Sequence, residues 1–84
     1  MKWLISYDLD APGQNYKQLD DELVRVGAVR VLASQWVLES QYSAVQLRDH
    51  FRLFIDSSDR LLVSTLGPWA SWNIMIDINK LSVA

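Results

Sequence analysis

Hydrophobic and polar positions divide the chain into alternating strand-like and helix-like stretches. Residues 2–9 are mostly aromatic or aliphatic and are followed by the turn signal of residues 10–13, Asp-Ala-Pro-Gly, which predicts a strand and its exit loop. From Asn15 onward, apolar residues recur at three- and four-residue spacings, which predicts an amphipathic helix. Gly27 supplies the expected end of this helix.

The middle of the chain repeats this alternation. Residues 28–39 return to strand composition, and the polar pair Ser34-Gln35 is compatible with two short strands or with one bent strand. Ser43 and Gln46 have the spacing of a capping box, which predicts the start of a second helix. The apolar stripe of this helix consists of Ala44, Leu47, Phe51, Phe54 and Ile55.

The last third of the chain predicts two further strands. Residues 56–59 form a polar turn signal, and residues 60–66 form a strand pattern that ends at Gly67-Pro68. From Trp72 to Asn79, apolar and polar residues alternate with a period of two, which also predicts a strand. The element order predicts an α+β ferredoxin-like domain, βαββαβ, with an antiparallel sheet, two helices on one face and an extra C-terminal strand.

Composition narrows the class of protein. The 84 residues are 50% hydrophobic and 21% charged, which predicts one folded domain over residues 1–84 and excludes a disordered chain. The absence of cysteine excludes a disulfide or a thiolate zinc site within the chain and fits the cytoplasm. No stretch approaches the ~20 apolar residues that span a bilayer, so we expect no membrane association.

The net charge of −2 gives no general attraction to phosphate, so any nucleic-acid binding must be local. Arg48 and Arg52 are one helical turn apart, and Arg30 could add to them from the second strand as phosphate contacts. Asp49 and Asp56 interrupt this stripe, so a solvated helix face is the other interpretation.

Two helices cannot cover both faces of the predicted sheet. The first strand carries Leu4 on one face and four apolar residues on the other, Trp3, Ile5, Tyr7 and Leu9. We expect the uncovered face to bind a second copy with two-fold symmetry, whereas in a monomer the tryptophans would pack at sheet ends and loops. If Trp72 is buried, Trp72→Ala should cost roughly 3 to 5 kcal/mol.

Candidate chemistry is concentrated at the end of the first strand. Asp8 stands there on a hydrophobic strand that fixes its position, and such a carboxylate can ligate magnesium. A dimer axis near the strand end would supply a second Asp8 and could position a metal-activated water for phosphodiester cleavage. Alternatively, Asp8 and Asp10 accept backbone hydrogen bonds in a turn. His50, the only histidine, is either a solvated helix residue or a general base.

Several segments together resemble a known family. They are Ile5-Ser6-Tyr7-Asp8-Leu9, Gly27-Ala28, residues 29–37, Ala44-Val45-Gln46-Leu47-Arg48-Asp49, Ile55-Asp56, residues 59–63 and Trp69-Ala70-Ser71-Trp72-Asn73. The chain resembles the second family of CRISPR-associated proteins, the small ferredoxin-like dimers of spacer acquisition. More closely, it looks like the stand-alone bacterial relatives labelled SinR-family.

The resemblance implies a homodimer formed through sheet faces, with C-terminal strands contributing to the contact. It also implies a site for Mg²⁺ or Mn²⁺ where Asp8 meets its symmetry mate. Many members of the family act as structural adaptors for an integrase partner, whereas a nuclease activity on RNA or DNA requires the metal. We therefore carry two hypotheses: a non-catalytic adaptor, and a nuclease with Asp8 as ligand, Tyr7 and Ser34 supporting it, and Arg30, Arg48 and Arg52 contacting phosphates.

Overall fold

Four strands and two helices form the part of the chain that the computed structural model describes, residues 1–9 and 17–78. The elements in chain order are β1 (Lys2–Asp8), α1 (Lys17–Arg25), β2 (Val29–Leu32), β3 (Gln35–Glu39), α2 (Ala44–Phe51), a 3-10 turn (Arg52–Phe54) and β4 (Arg60–Thr65). The sheet order is β2-β3-β1-β4, and each neighbouring pair is antiparallel. Each helix therefore connects two strands that flank a third strand, which confirms the predicted α+β, ferredoxin-like arrangement.

The end of α1 confirms the role predicted for Gly27. Its φ is +88°, in the left-handed region that glycine adopts without steric cost. The backbone N–H of Gly27 donates to the carbonyl of Val24 at 3.0 Å, and that of Ala28 donates to the carbonyl of Leu23 at 2.9 Å. This pair of hydrogen bonds is a Schellman motif, which ends the helix and turns the chain into β2. The predicted start at Asn15 lies outside the described residues.

The capping box of α2 is present in both halves. The Ser43 hydroxyl accepts from the backbone N–H of Gln46 at 3.1 Å, and the Gln46 side chain accepts from the backbone N–H of Ser43 at 2.9 Å. Two backbone donors at the start of the helix are thereby satisfied, so the predicted boundary is confirmed.

Residues 28–39 form two short strands and not one bent strand. A two-residue turn at Ala33-Ser34 joins β2 to β3. Arg30 lies opposite Trp36 and Leu32 lies opposite Gln35, so β2 contains one extra residue between them. This β-bulge disturbs the alternation of the hairpin, which is why the sequence pattern left both alternatives open.

The main core lies between the sheet and the two helices. β1 contributes Trp3, Ile5 and Tyr7, as the period of two predicts, and Trp36 comes from β3. The helices contribute Leu19, Leu23, Leu47 and Phe51 to the same cluster. This packing holds α1 and α2 side by side on one face of the sheet and orients the polar groups at their edges.

The second face of the sheet is partly covered by the segment of residues 66–78. The backbone N–H of Leu66 donates to Lys2 at 2.9 Å, and that of Met75 donates to Val31 at 3.0 Å, so the segment crosses from the start of β1 to the β2 edge. Ile78 is buried with Val31 and Val37, and Ile74 packs against this group. The sequence analysis predicted an uncovered second face, whereas this segment covers part of it.

The predicted strand from Trp72 to Asn79 is wrong over its described part. Between Leu66 and Ile78 the chain makes bends, and no strand is assigned there. Asn73 has a φ of +54°, which is incompatible with an extended strand. The alternating pattern places Ile74 and Ile78 toward the sheet through these bends, while Asn79 lies outside the described residues.

Among residues 1–9 and 17–78, no helix has the length and apolar character needed to span a bilayer.

Candidate functional site

Asp8 lies at the last position of β1, on the second face of the sheet. Its neighbour across the strands is Arg60, whose Nη1 donates to Asp8 Oδ2 at 3.0 Å. Both side chains are open to solvent, with Asp8 72% exposed. An exposed pair of this kind contributes at most about 1 kcal/mol, so the carboxylate can exchange partners. Asp10 lies outside the described residues.

The residues around Asp8 do not form a metal site within one chain. No group of three His, Cys, Asp or Glu side chains among the described residues is placed to hold a metal ion. The guanidinium of Arg60 occupies one carboxylate oxygen and would compete with a cation. A Mg²⁺ or Mn²⁺ ion at Asp8 would therefore need a further carboxylate from a second copy of the chain.

Ser34 and Asp8 line the same depression, whereas the Tyr7 ring lies on the opposite face of the sheet from the Asp8 side chain. The carbonyl of Ser34 accepts from the backbone N–H of Tyr7 at 3.1 Å, and Ser34, Asp8 and Arg60 line one shallow depression at this end of the sheet. Successive side chains of a strand point to opposite faces, so the Tyr7 ring enters the main core. The structure therefore brings Ser34 and Asp8 together and separates them from the Tyr7 hydroxyl.

The Tyr7 hydroxyl belongs to a polar network inside the helix side of the domain. It accepts from Trp36 Nε1 at 3.0 Å and donates to Asp20 Oδ1 at 2.9 Å. Burial raises the pKa of Tyr7, and the Asp20 carboxylate raises it further. The network joins β1 and β3 to α1 through hydrogen bonds between side chains.

Arg30 completes this network. Its Nη2 donates to Asp20 Oδ2 at 2.6 Å, and its guanidinium lies over the ring of Trp36 at 4.6 Å from the ring centroid. The same Asp20 contact raises the pKa of Arg30. Arg30 is therefore anchored by Asp20 and Trp36, and a phosphate would have to compete with both.

Arg48 and Arg52 lie together on a surface of mixed charge. Arg48 Nη2 donates to Asp49 Oδ1 at 2.8 Å. Both arginines line a depression that also contains Asp56 and Asp59, at the turn before β4. Since β2 and β4 are opposite edges of the sheet, Arg30 does not extend this pair into a continuous basic stripe. The structure brings two of the three predicted phosphate contacts together, among carboxylates.

A carboxylate bridge between the helices was missed by the sequence analysis. Glu22 of α1, whose side chain is only 10% exposed, accepts from Arg25 Nε at 2.6 Å and Arg25 Nη2 at 2.5 Å. His50 Nε2 lies 2.5 Å from Glu22 Oε2. The hydrogen bonds from Arg25, which has the larger effect, and from His50 lower the pKa of Glu22 to about 2. The spacing of Glu22 and Arg25 is a sequence signal, but nothing local points to His50.

His50 is therefore an inter-helix contact and not a purely solvated residue. Besides its bond to Glu22, its ring makes edge contacts with Phe51 and Phe54, at centroid distances of 5.3 and 5.5 Å. Its Nε2 is engaged with the Glu22 carboxylate. This contact favours a role in joining α1 and α2 over a role as general base.

Large apolar side chains are exposed on the outside of the second face. Leu62, which lies opposite Ser6 in the β1–β4 register, is 62% exposed. In the segment of residues 66–78, Trp72 is 86% and Met75 is 64% exposed, and Trp69 and Ile76 are also exposed. Trp72 is exposed within one chain, so the burial on which the cost predicted for Trp72→Ala depended is not present in the single chain.

Comparison with known proteins finds no protein-family model that matches the chain and no solved structure that matches it. The family resemblance of the sequence therefore stays a prediction. What the structure adds is a ferredoxin-like fold with Asp8 and an exposed apolar surface on one face and the Glu22 bridge on the other.

Proposed function

We propose that this chain is a homodimeric interaction module, a non-catalytic adaptor of the cytoplasm whose second sheet face is the contact surface. The observation that carries the proposal is the exposure of Leu62 on that face and of Trp72 and Met75 in the segment that crosses it. Scattered apolar side chains are common on protein surfaces, but an indole exposed to 86% is a typical anchor of a protein contact. Burying these side chains against a second copy removes their contact with water.

Two further features support the adaptor proposal. A domain of 84 residues buries only a little over ~60% of its unfolded surface, less than a larger domain does, so association adds stability that the monomer lacks. The arginine pair Arg48 and Arg52 lies among carboxylates, which favours a protein partner over a nucleic-acid backbone. The sequence resemblance to the CRISPR-associated dimers implies the same kind of assembly and a partner engaged in nucleic-acid processing.

The experiment that tests this proposal is sedimentation of the wild-type protein and of Trp72→Ala at micromolar concentration. We expect a wild-type dimer and at least a tenfold weaker dimer in Trp72→Ala, since an interfacial tryptophan typically contributes about 2 kcal/mol or more. Leu53→Ser is the matched control, because Leu53 is 77% exposed but lies on the 3-10 turn beyond α2. A wild-type monomer, or equal weakening by Leu53→Ser, would contradict the proposal.

A metal-dependent nuclease is the second candidate function, and the position of Asp8 favours it. Asp8 lies on the same face as Leu62, so a two-fold axis through that face could bring two Asp8 carboxylates together with Ser34 beside them. Two carboxylates, waters and a substrate phosphate can hold Mg²⁺ or Mn²⁺. Arg60 would then have to release Asp8 as the metal binds.

This candidate is tested by cleavage of labelled RNA and DNA, single- and double-stranded, with magnesium, manganese or chelator. Asp8→Asn removes the metal ligand, and Asp21→Asn, at an exposed carboxylate of α1 paired with Lys17, is the matched control. Metal-dependent cleavage that is lost only in Asp8→Asn would replace the adaptor proposal by the nuclease. No cleavage by any of the proteins would leave the adaptor.

A further inference from the structure

A groove of about 470 Å³ opens on the helix side of the domain, away from the proposed dimer surface. It lies between the end of α1, the end of β3 and the first two turns of α2. Its apolar lining includes Leu38, Leu47 and Phe51, all of which are buried. The volume is within the range of about 300 to 1,000 Å³ that small-molecule sites have, and an apolar floor is typical of them.

Three residues at the rim of this groove keep hydrogen-bond donors that have no partner within the described residues. Arg25 donates to Glu22 through Nε and Nη2, and its Nη1 makes no hydrogen bond within the described residues. The side-chain oxygen of Gln46 accepts from Ser43, which leaves its amide N–H groups available. The hydroxyl of Tyr42, a residue 64% exposed, forms no hydrogen bond with the described part of the chain.

The two oxygens of Ser40 and one oxygen of Glu39 at the same rim already accept hydrogen bonds. Glu39 Oε1 accepts from the Met1 amine at 2.6 Å. The carbonyl of Ser40 accepts from Trp3 Nε1 at 3.2 Å, and its hydroxyl accepts from the backbone N–H of Tyr42 at 3.1 Å. Because most of these acceptors are engaged while Arg25, Gln46 and Tyr42 keep donors without partners, the rim is complementary to a ligand that carries acceptor oxygens.

We propose that this groove binds a small carboxylate with an apolar or aromatic body. The carboxylate accepts from Arg25, with Tyr42 and Gln46 as further donors, and the body lies on Leu47 and Phe51. Arg25 is the main determinant, because a hydrogen bond between charged groups is about twice as strong as one between neutral groups. The Glu22 bridge holds Arg25 at the rim, since its bidentate contact fixes the orientation of the guanidinium.

The test is a titration of the ¹⁵N-labelled protein with 3-phenylpropionate and with the neutral 3-phenylpropanamide, followed by amide chemical shifts. We expect the carboxylate to bind with a dissociation constant of about 1 mM or lower and to shift the amides of Leu38, Leu47 and Phe51. The amide probe has the same apolar body and should bind roughly tenfold more weakly. This comparison needs no variant and separates recognition of the carboxylate from burial of the ring.

Two substitutions assign the contact to Arg25. Arg25→Gln should weaken the carboxylate at least fivefold, toward the affinity of the amide probe, while Tyr42→Phe should weaken it by a smaller factor. Lys17→Gln removes one positive charge from the other end of the same helix and should leave the affinity unchanged. Equal binding of the two probes, shifts confined to residues outside the groove, or no saturable shift at about ten times that concentration would each overturn the proposal.

Discussion

Tyr7→Phe tests whether the polar network on the helix side stabilises the fold. The substitution removes one oxygen and leaves the ring in place, so the apolar packing of β1 is retained. Trp36 Nε1 then loses its acceptor, and Trp36 is only 4% exposed, so water has little access to the indole N–H. The partner Asp20 is less affected, because its side chain is 31% exposed and keeps the contact with Arg30.

The expected loss follows from this difference in exposure. A buried donor left without a partner costs about 1 to 3 kcal/mol, and the partly exposed Asp20 adds little, so we expect Tyr7→Phe to lower the free energy of unfolding by about 1 to 2 kcal/mol. Tyr42→Phe, at an exposed hydroxyl, is the matched control and should change it by less than about 0.5 kcal/mol.

The assay is urea unfolding followed by far-UV circular dichroism, with all three proteins at one concentration so that dimer formation contributes equally. We expect a lower midpoint for Tyr7→Phe with an unchanged dependence of the unfolding free energy on urea concentration. If Tyr7→Phe and Tyr42→Phe have the same midpoint, the Trp36 hydrogen bond contributes nothing and the reasoning is refuted.

Three further predictions concern the helix contacts and helix ends. Because the pKa of Glu22 is lowered from 4.5 to about 2, its contribution to stability is present above pH 4.5 and is lost as the pH falls toward 2. The free energy of unfolding should therefore fall less steeply with acid in Glu22→Gln than in the wild-type protein. An identical slope for the two proteins would contradict this. Gly27→Ala should lower the free energy of unfolding, measured with urea, by about 1 kcal/mol, because the φ of +88° is unfavourable for alanine. An added Cβ meets no atom within 4 Å, so the effect comes from the backbone alone. An unchanged midpoint would show that the backbone relaxes. Ser43→Ala should lower the free energy of unfolding by about 1 kcal/mol, because the capping box is lost. Ser58→Ala, in the turn before β4, should leave it almost unchanged. Equal effects of the two substitutions would exclude a specific role of the cap.

The parts of the fold that the sequence predicted correctly depend on residues close together in the chain. Gly27 ends α1 through hydrogen bonds that reach back only a few residues, and Ser43 and Gln46 cap each other within one turn. The period of two in β1 correctly placed Trp3 and Ile5 on one face of the strand, and the structure shows that this is the core face. Local geometry determines such features, so a single sequence carries enough information to place them.

The errors concern contacts between residues that are distant in the chain. The alternation after Trp72 is compatible with a strand, but a strand also needs a ladder of hydrogen bonds to a neighbour. The described part of this segment contacts the β2 edge through the backbone N–H of Met75, which donates to Val31, and does not form a strand. The partners of Arg30 and His50 are carboxylates on α1, Asp20 and Glu22, which come together with them only when the helix packs on the sheet. Sequence spacing gives no signal for such pairs.

The most direct test of the proposed dimer is detection of contacts between protomers. A sample mixed from ¹³C-labelled and unlabelled protein allows isotope-filtered NOE spectra that contain only intermolecular contacts. The account predicts such contacts for the Leu62 methyl groups and the Trp72 indole, on the second face of the sheet. A dimer whose intermolecular contacts come instead from Leu53 and the helix side, or a protein with no intermolecular contact at millimolar concentration, would contradict it.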